Sequence, residues 1–75
     1  MSGEERGPVE TIDAPYGRRI GLQPVAYESG LRLLRVTIRE GRRFTVIEID
    51  AETARRWAAA MNGWADTTEP IGNGE

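Results

Sequence analysis

From Leu31 to Ile49 the chain alternates apolar and polar residues with a period of two. Leu34, Val36 and Ile38 interleave with Arg35, Thr37 and Arg39, and Thr45, Ile47 and Ile49 with Phe44, Val46 and Glu48. Such alternation predicts half-buried strands over Leu31–Arg39 and Phe44–Ile49. Glu40-Gly41 between them is hairpin chemistry, with glycine where φ must be positive. Register follows from burial. An even loop sets Thr45, Ile47 and Ile49 on the face of Leu34, Val36 and Ile38, whereas an odd one would set Glu48 among those aliphatics, where an unpaired carboxylate is costly. A four-residue loop also places Arg35 opposite Glu48, a favourable cross-strand pair.

Upstream the signals weaken. Arg19–Tyr27 reads as a strand, with Ile20 and Leu22 on one face. Pro24 cannot donate to a ladder, so this strand lies at an edge or meets a bulge. Ser29-Gly30 and Pro15-Tyr16-Gly17 are turns. Val9–Ala14 is a candidate short edge strand. Met1–Pro8 is polar and reads as a disordered acidic tail.

After Ile49 the period changes. Ala54, Trp57, Ala58, Met61 and Ala65 form one helical stripe with Trp64 at its flank. Asp50 is placed to cap this helix and Glu52 to favour its positive end. The helix ends at Asn62-Gly63 or runs a turn further to Asp66. Thr67–Glu75, with Pro70 and two glycines, reads as a second disordered tail. The expected architecture is α+β: an antiparallel meander of three to four strands packed on one C-terminal amphipathic helix. A single domain spans 9–66 between tails 1–8 and 67–75. The helix stripe is expected to cover Leu34, Val36, Ile38, Ile47 and Ile49.

Charge alters this picture. Residues 1–15 carry net −3 and residues 65–75 net −3, while residues 16–64 carry nine arginines against five acids, net +4. The total of −2 conceals a basic body between acidic ends. With 75 residues the core is thin. Cysteine and histidine are absent, so disulfides, thiolate metal sites and the commonest general base are excluded. Lysine is absent too, which removes Schiff-base chemistry. No metal loop or glycine-rich phosphate loop is present. Asp50 and Glu52 lie close together but read as a cap and a first-turn acid. The chain is therefore expected to be no enzyme and to need no cofactor. No apolar run is long enough to span a membrane, and the acidic N-terminus is no secretory signal, so the expected location is cytoplasmic.

The remaining candidate is the sheet face away from the helix, with Arg35, Arg39, Phe44 and Val46, joined by Arg42 and Arg43 of the hairpin. Leu33, Phe44 and Val46 are more apolar surface than a lone antiparallel sheet shows to water. The leading expectation is an interaction module that pairs with itself as a homodimer or with another protein. The alternative is a single-stranded nucleic-acid binder using the same arginines, which suit phosphates and can stack on bases.

The stretch FTVIEID running straight into AETARRWAAAM resembles the end of the p15, or positive-cofactor-four, type of transcriptional coactivator domain, through Ile47, Ile49, Asp50 and Trp57. That family binds single-stranded DNA as a dimer through basic strands. The resemblance implies such a role for Arg35, Arg39, Arg42, Arg43 and Phe44. It covers about thirty residues of this chain. The chain looks equally like small bacterial domains of unknown function, which imply no activity.

Overall fold

The structure, a computed structural model, describes residues 3–68. It is an open antiparallel sheet followed by one helix. The strands are β1 (Glu4–Arg6), β2 (Glu10–Ala14), β3 (Arg18–Tyr27), β4 (Arg32–Glu40) and β5 (Arg43–Ile49), and the helix is α1 (Ala51–Thr68). The order across the sheet is β1-β3-β4-β5, and β2 also pairs with β3. Because β4 occupies one edge of β3, β1 and β2 lie in succession along the other. The meander thus has four rungs, the first split in two.

Pro24 explains the split. Glu4 pairs with Tyr27 and Arg6 with Val25, whereas Glu10 pairs with Leu22 and Ile12 with Ile20. The register slips by one residue between β1 and β2, which is a bulge over Gly7, Pro8 and Val9. Gly7 lies opposite Pro24 and donates its N–H to the proline carbonyl at 3.0 Å. Proline has no N–H to return. Instead the Gln23 amide Nε2 donates to the Gly7 carbonyl at 3.0 Å, replacing the missing ladder bond. Gly7 is required as well, since a Cβ there would stand 2.7 Å from Cγ of Pro24. The expected link between Pro24 and an edge or bulge is met by a bulge in the neighbouring strand.

The hairpins follow their turn residues. The β3–β4 loop closes with Gly30 at φ 98°. The β4–β5 loop is Gly41-Arg42, one residue later than Glu40-Gly41, because Glu40 itself pairs with Arg43. Gly41 has φ 62°, the first-position geometry that favours glycine in a II′ hairpin. The register is the expected one: Arg35 faces Glu48, Val36 faces Ile47 and Leu34 faces Ile49. The β2–β3 loop holds Tyr16 at φ 64° beside Gly17 at φ 73°. A tyrosine in that left-handed region is strained.

Two expectations need correction. Glu4–Arg6 was expected in a disordered tail 1–8 but forms β1. Three charged residues carry no apolar alternation, and they pair because the Tyr27 end of β3 offers a free edge. At the other end α1 runs through Asn62-Gly63 and past Asp66 to Thr68, so the domain passes the expected boundary at 66, and Thr67 and Thr68 belong to the helix. Their hydroxyls both donate to the Trp64 carbonyl at 2.8 Å. Residues 69–75 of the expected C-terminal tail lie outside the described residues.

The larger correction concerns packing. Asp50 caps the helix as expected, accepting the Thr53 N–H on Oδ1 at 2.9 Å. Bonding to the Thr53 side chain, then to its N–H, holds the Asp50 carboxyl below the usual range. Yet among the described residues α1 buries no side chain. Only Ala54 is even half-buried, and β4 is its main neighbour. The stripe is amphipathic, but the described residues leave it largely uncovered. Val25 and Val36 are the buried apolar residues, at 2 % and 3 % exposure. The radius of gyration is 15.2 Å, where a compact chain of this length has about 11 Å.

Candidate functional site

The pairing register assigns every strand residue to a face. The aliphatic face carries Ile12, Ile20, Leu22, Leu34, Val36, Ile38, Ile47 and Ile49. The mixed face carries Val25, Tyr27, Leu33, Arg35, Thr37, Arg39, Phe44, Val46 and Glu48. Of the six expected site residues, Arg35, Arg39, Phe44 and Val46 share the mixed face. Arg43 pairs with Glu40 on the aliphatic side, and Arg42 sits in the hairpin loop, so the structure separates these two from the rest.

The four that remain fall into two settings. Arg35 is engaged. Its Nε and Nη2 donate to Glu48 Oε2 at 2.9 and 2.7 Å, and Nη2 reaches Glu4 Oε2 at 3.3 Å. Tyr27 donates its hydroxyl to the other Glu48 oxygen at 2.8 Å. The Arg35 guanidinium, then the Tyr27 hydroxyl, hold the Glu48 carboxyl below the usual carboxylate range. Bonding to Glu48 in turn raises the Tyr27 phenol and strengthens the Arg35 charge. These side chains are about three-quarters covered (Arg35 23 % and Glu48 25 % exposed). The network is a closed structural clamp tying β1, β3, β4 and β5 together.

Arg39 is open. Its guanidinium lies 5.6 Å from the Phe44 ring centre, a cation–π distance. Its Nε makes a long 3.4 Å bond to the Gly41 carbonyl. Among the described residues no carboxylate pairs with it. Arg19, directly opposite on β3, donates to Asp13 at 3.0 Å. A hollow of about 250 Å³ opens beside them, lined by Val9, Gly21, Thr37 and Phe44 among others. Val9, Phe44 and Val46 are each more than half exposed. The candidate face read from the sequence included Arg39, Phe44 and Val46 and left out Arg19, Gly21 and Val9. Continuing the cross-strand register through β3 would have brought Arg19 and Gly21 to this face.

A second exposed surface was not expected. Along the helix Trp57, Met61 and Trp64 are 37, 53 and 68 % exposed, and on the aliphatic face Ile12 and Ile47 are 45 and 44 % exposed. Among the described residues no group of histidine, cysteine, aspartate or glutamate is placed to hold a metal. No helix there is long and apolar enough to cross a membrane.

The model of one protein family, described as a family of unknown function (DUF6967), matches residues 3–67. The chain belongs to this family. No curated protein and no solved structure matches it. Membership in DUF6967 fits the likeness to small domains of unknown function and lends nothing to the coactivator resemblance. The DUF6967 match covers β1 and nearly all of α1, so the bulged first rung and the uncovered helix both lie within the family's domain.

Proposed function

We propose that this DUF6967 chain is a non-catalytic, cytoplasmic interaction module that completes its own core by forming a homodimer. Each protomer lays the stripe Trp57, Met61 and Trp64 on the aliphatic sheet face of its partner. The observation that carries this reading is the helix itself. It is capped and amphipathic, yet it buries none of its residues. An 18-residue helix is about 27 Å long, which suits the roughly 30 Å of the nine-residue β4. The two uncovered surfaces are complementary in kind, aromatic and aliphatic, so a two-fold axis satisfies both at once.

A self-pairing module is favoured over a single-stranded nucleic-acid binder because several arginines such a platform would use are neutralised. Arg35 is held by Glu48 and Glu4, Arg18 by Glu40 at 2.6 Å, and Arg19 by Asp13. Sedimentation equilibrium over a wide concentration range, at low and high salt, tests the reading. The expected mass is that of two chains with little salt dependence, and Met61→Glu returns it to one chain. A single-chain mass at every concentration, with helix content intact, overturns it. Salt-sensitive binding of single-stranded DNA or RNA by the wild type would favour the nucleic-acid alternative.

A further inference from the structure

On the mixed face, two features that cost stability converge on one hollow. The first is Gly21, in the interior of β3, paired with Thr11 on one side and Thr37 on the other. Glycine weakens a strand interior. No backbone demand places it there, since its φ is not positive. No steric demand does either. A Cβ would meet Val9 at 3.5 Å and Thr37 at 3.9 Å, ordinary contacts. The second is Arg19 directly opposite Arg39. Like charges in that relation repel, and among the described residues only Asp13 offsets them. A mid-strand glycine without a structural reason marks a place where something approaches the sheet closely. A pair of guanidiniums beside it defines the charge of what approaches.

We propose that the hollow over Gly21 binds a small oxyanion carried on a flat ring. The phosphate or carboxylate sits between Arg19 and Arg39. The ring lies over the Gly21 backbone against Phe44 and Val9. Arg39 is the primary donor, because among the described residues its guanidinium has no acidic partner and it already rests on the Phe44 ring. A second hollow of about 420 Å³ between the β2–β3 and β4–β5 loops is also lined by Arg19 and Arg39; there Asp13 offsets Arg19, so Arg39 is the charge that both hollows share. This site lies on the opposite face from the surface assigned to dimerisation and does not depend on it.

The test is an NMR titration of the full chain with phenyl phosphate, benzoate, inorganic phosphate and benzyl alcohol, following backbone amides. Shifts are expected at Thr11, Gly21, Thr37 and Phe44. At least one ring-bearing anion binds about fivefold tighter than inorganic phosphate, and whichever ring anion is tighter identifies the oxyanion. Arg39→Gln weakens binding by about tenfold. Gly21→Val is the decisive variant, because it suits a strand, fills the hollow and leaves every charge in place. It abolishes binding while thermal stability holds or rises. Overturning results are wild-type binding by Gly21→Val, equal binding of benzyl alcohol, shifts spread over Arg32, Arg42 and Arg43 alike, or no binding of either ring anion.

Discussion

The sheet and the helix of this protein are equally well specified locally and very differently used. In the sheet each local device meets a partner. Pro24 lacks an N–H, and Gln23 supplies one to Gly7. Arg35 is a charge in the middle of a face, and Glu48, Tyr27 and Glu4 surround it. The helix has its cap, its acidic first turn and its apolar stripe, and the stripe faces solvent. Local grammar is therefore sufficient to form an element and says nothing about whose surface it will cover. In the sheet the partner is the same chain. In the helix, on the proposed reading, it is a second one.

The largest expected effect separates the two. Val25→Ala, on the face away from the assigned interface, removes buried volume from the sheet and lowers stability by about 2 kcal/mol. That loss is the same at every protein concentration if the site belongs to one chain. Trp57→Ser touches only the helix stripe. Its cost appears as a fall in Tm that deepens on dilution, because the interaction lost is between chains. Differential scanning calorimetry at several concentrations reads both. A concentration-independent Trp57→Ser effect would return the helix to its own sheet.

The next effect tests the clamp by pH. Glu48 is held below the usual carboxylate range by Arg35 and then Tyr27. Its contribution is thus complete above the ordinary carboxylate value of about 4.3 and is lost as pH falls through the lower folded value. Tyr27 runs the other way. Its phenol is raised chiefly by the bond to Glu48, so its share is complete below about 10 and lost as pH rises through the raised folded value. Thermal scans should show a plateau between about pH 5 and 10 with a decline on each side. In Glu48→Gln the alkaline limb shrinks to the part that burial and Glu4 still supply, and the acid limb keeps the share of Asp50, whose carboxyl is also held low. An unchanged alkaline limb would mean that Tyr27 does not depend on Glu48.

These contrasts also mark what the sequence made legible. Strands β4 and β5, their even register and the Arg35–Glu48 pair could be read because alternation and the cost of burying Glu48 leave one arrangement. Asp50 could be read as a cap because few residue types serve there. Strand β1 could not, because Glu4-Glu5-Arg6 has no apolar period and pairs only where β3 leaves an edge free. The packing of the helix was misjudged for the opposite reason. Its stripe of Trp57 and Met61 was clear, but an amphipathic pattern states that a surface will be covered and not by which chain. Of the candidate site, Arg39, Phe44 and Val46 were legible from β4 and β5 alone. Arg19 and Gly21 required the register of β3, which Pro24 obscured.

A smaller effect probes the bulge. Gln23→Ala leaves the Gly7 carbonyl without its donor and should cost about 1 kcal/mol. Gln23→Glu should do no better, since a carboxylate cannot donate. Hydrogen exchange on β1 amides is the sensitive readout, with faster exchange over Glu5 to Gly7 and little change in β4. Uniform loss across the sheet would show that the bulge bond supports the whole fold.

The smallest effect carries information through its sign. Gly63 lies inside α1, and a Cβ there meets nothing within 4 Å. In a solvent-facing helix Gly63→Ala should raise stability by about 0.5–1 kcal/mol through lower backbone entropy in the unfolded chain. Gly63 is next to Trp64 and two residues from Met61, at the border of the stripe assigned to the partner sheet. If the partner backbone comes close at that border, the added methyl weakens association instead. Calorimetry and sedimentation on this one variant then read different things. A higher Tm with unchanged dimer mass leaves Gly63 on the solvent side of the stripe. A lower, concentration-dependent Tm brings the interface across it, and the glycine becomes the point of closest approach between the two chains.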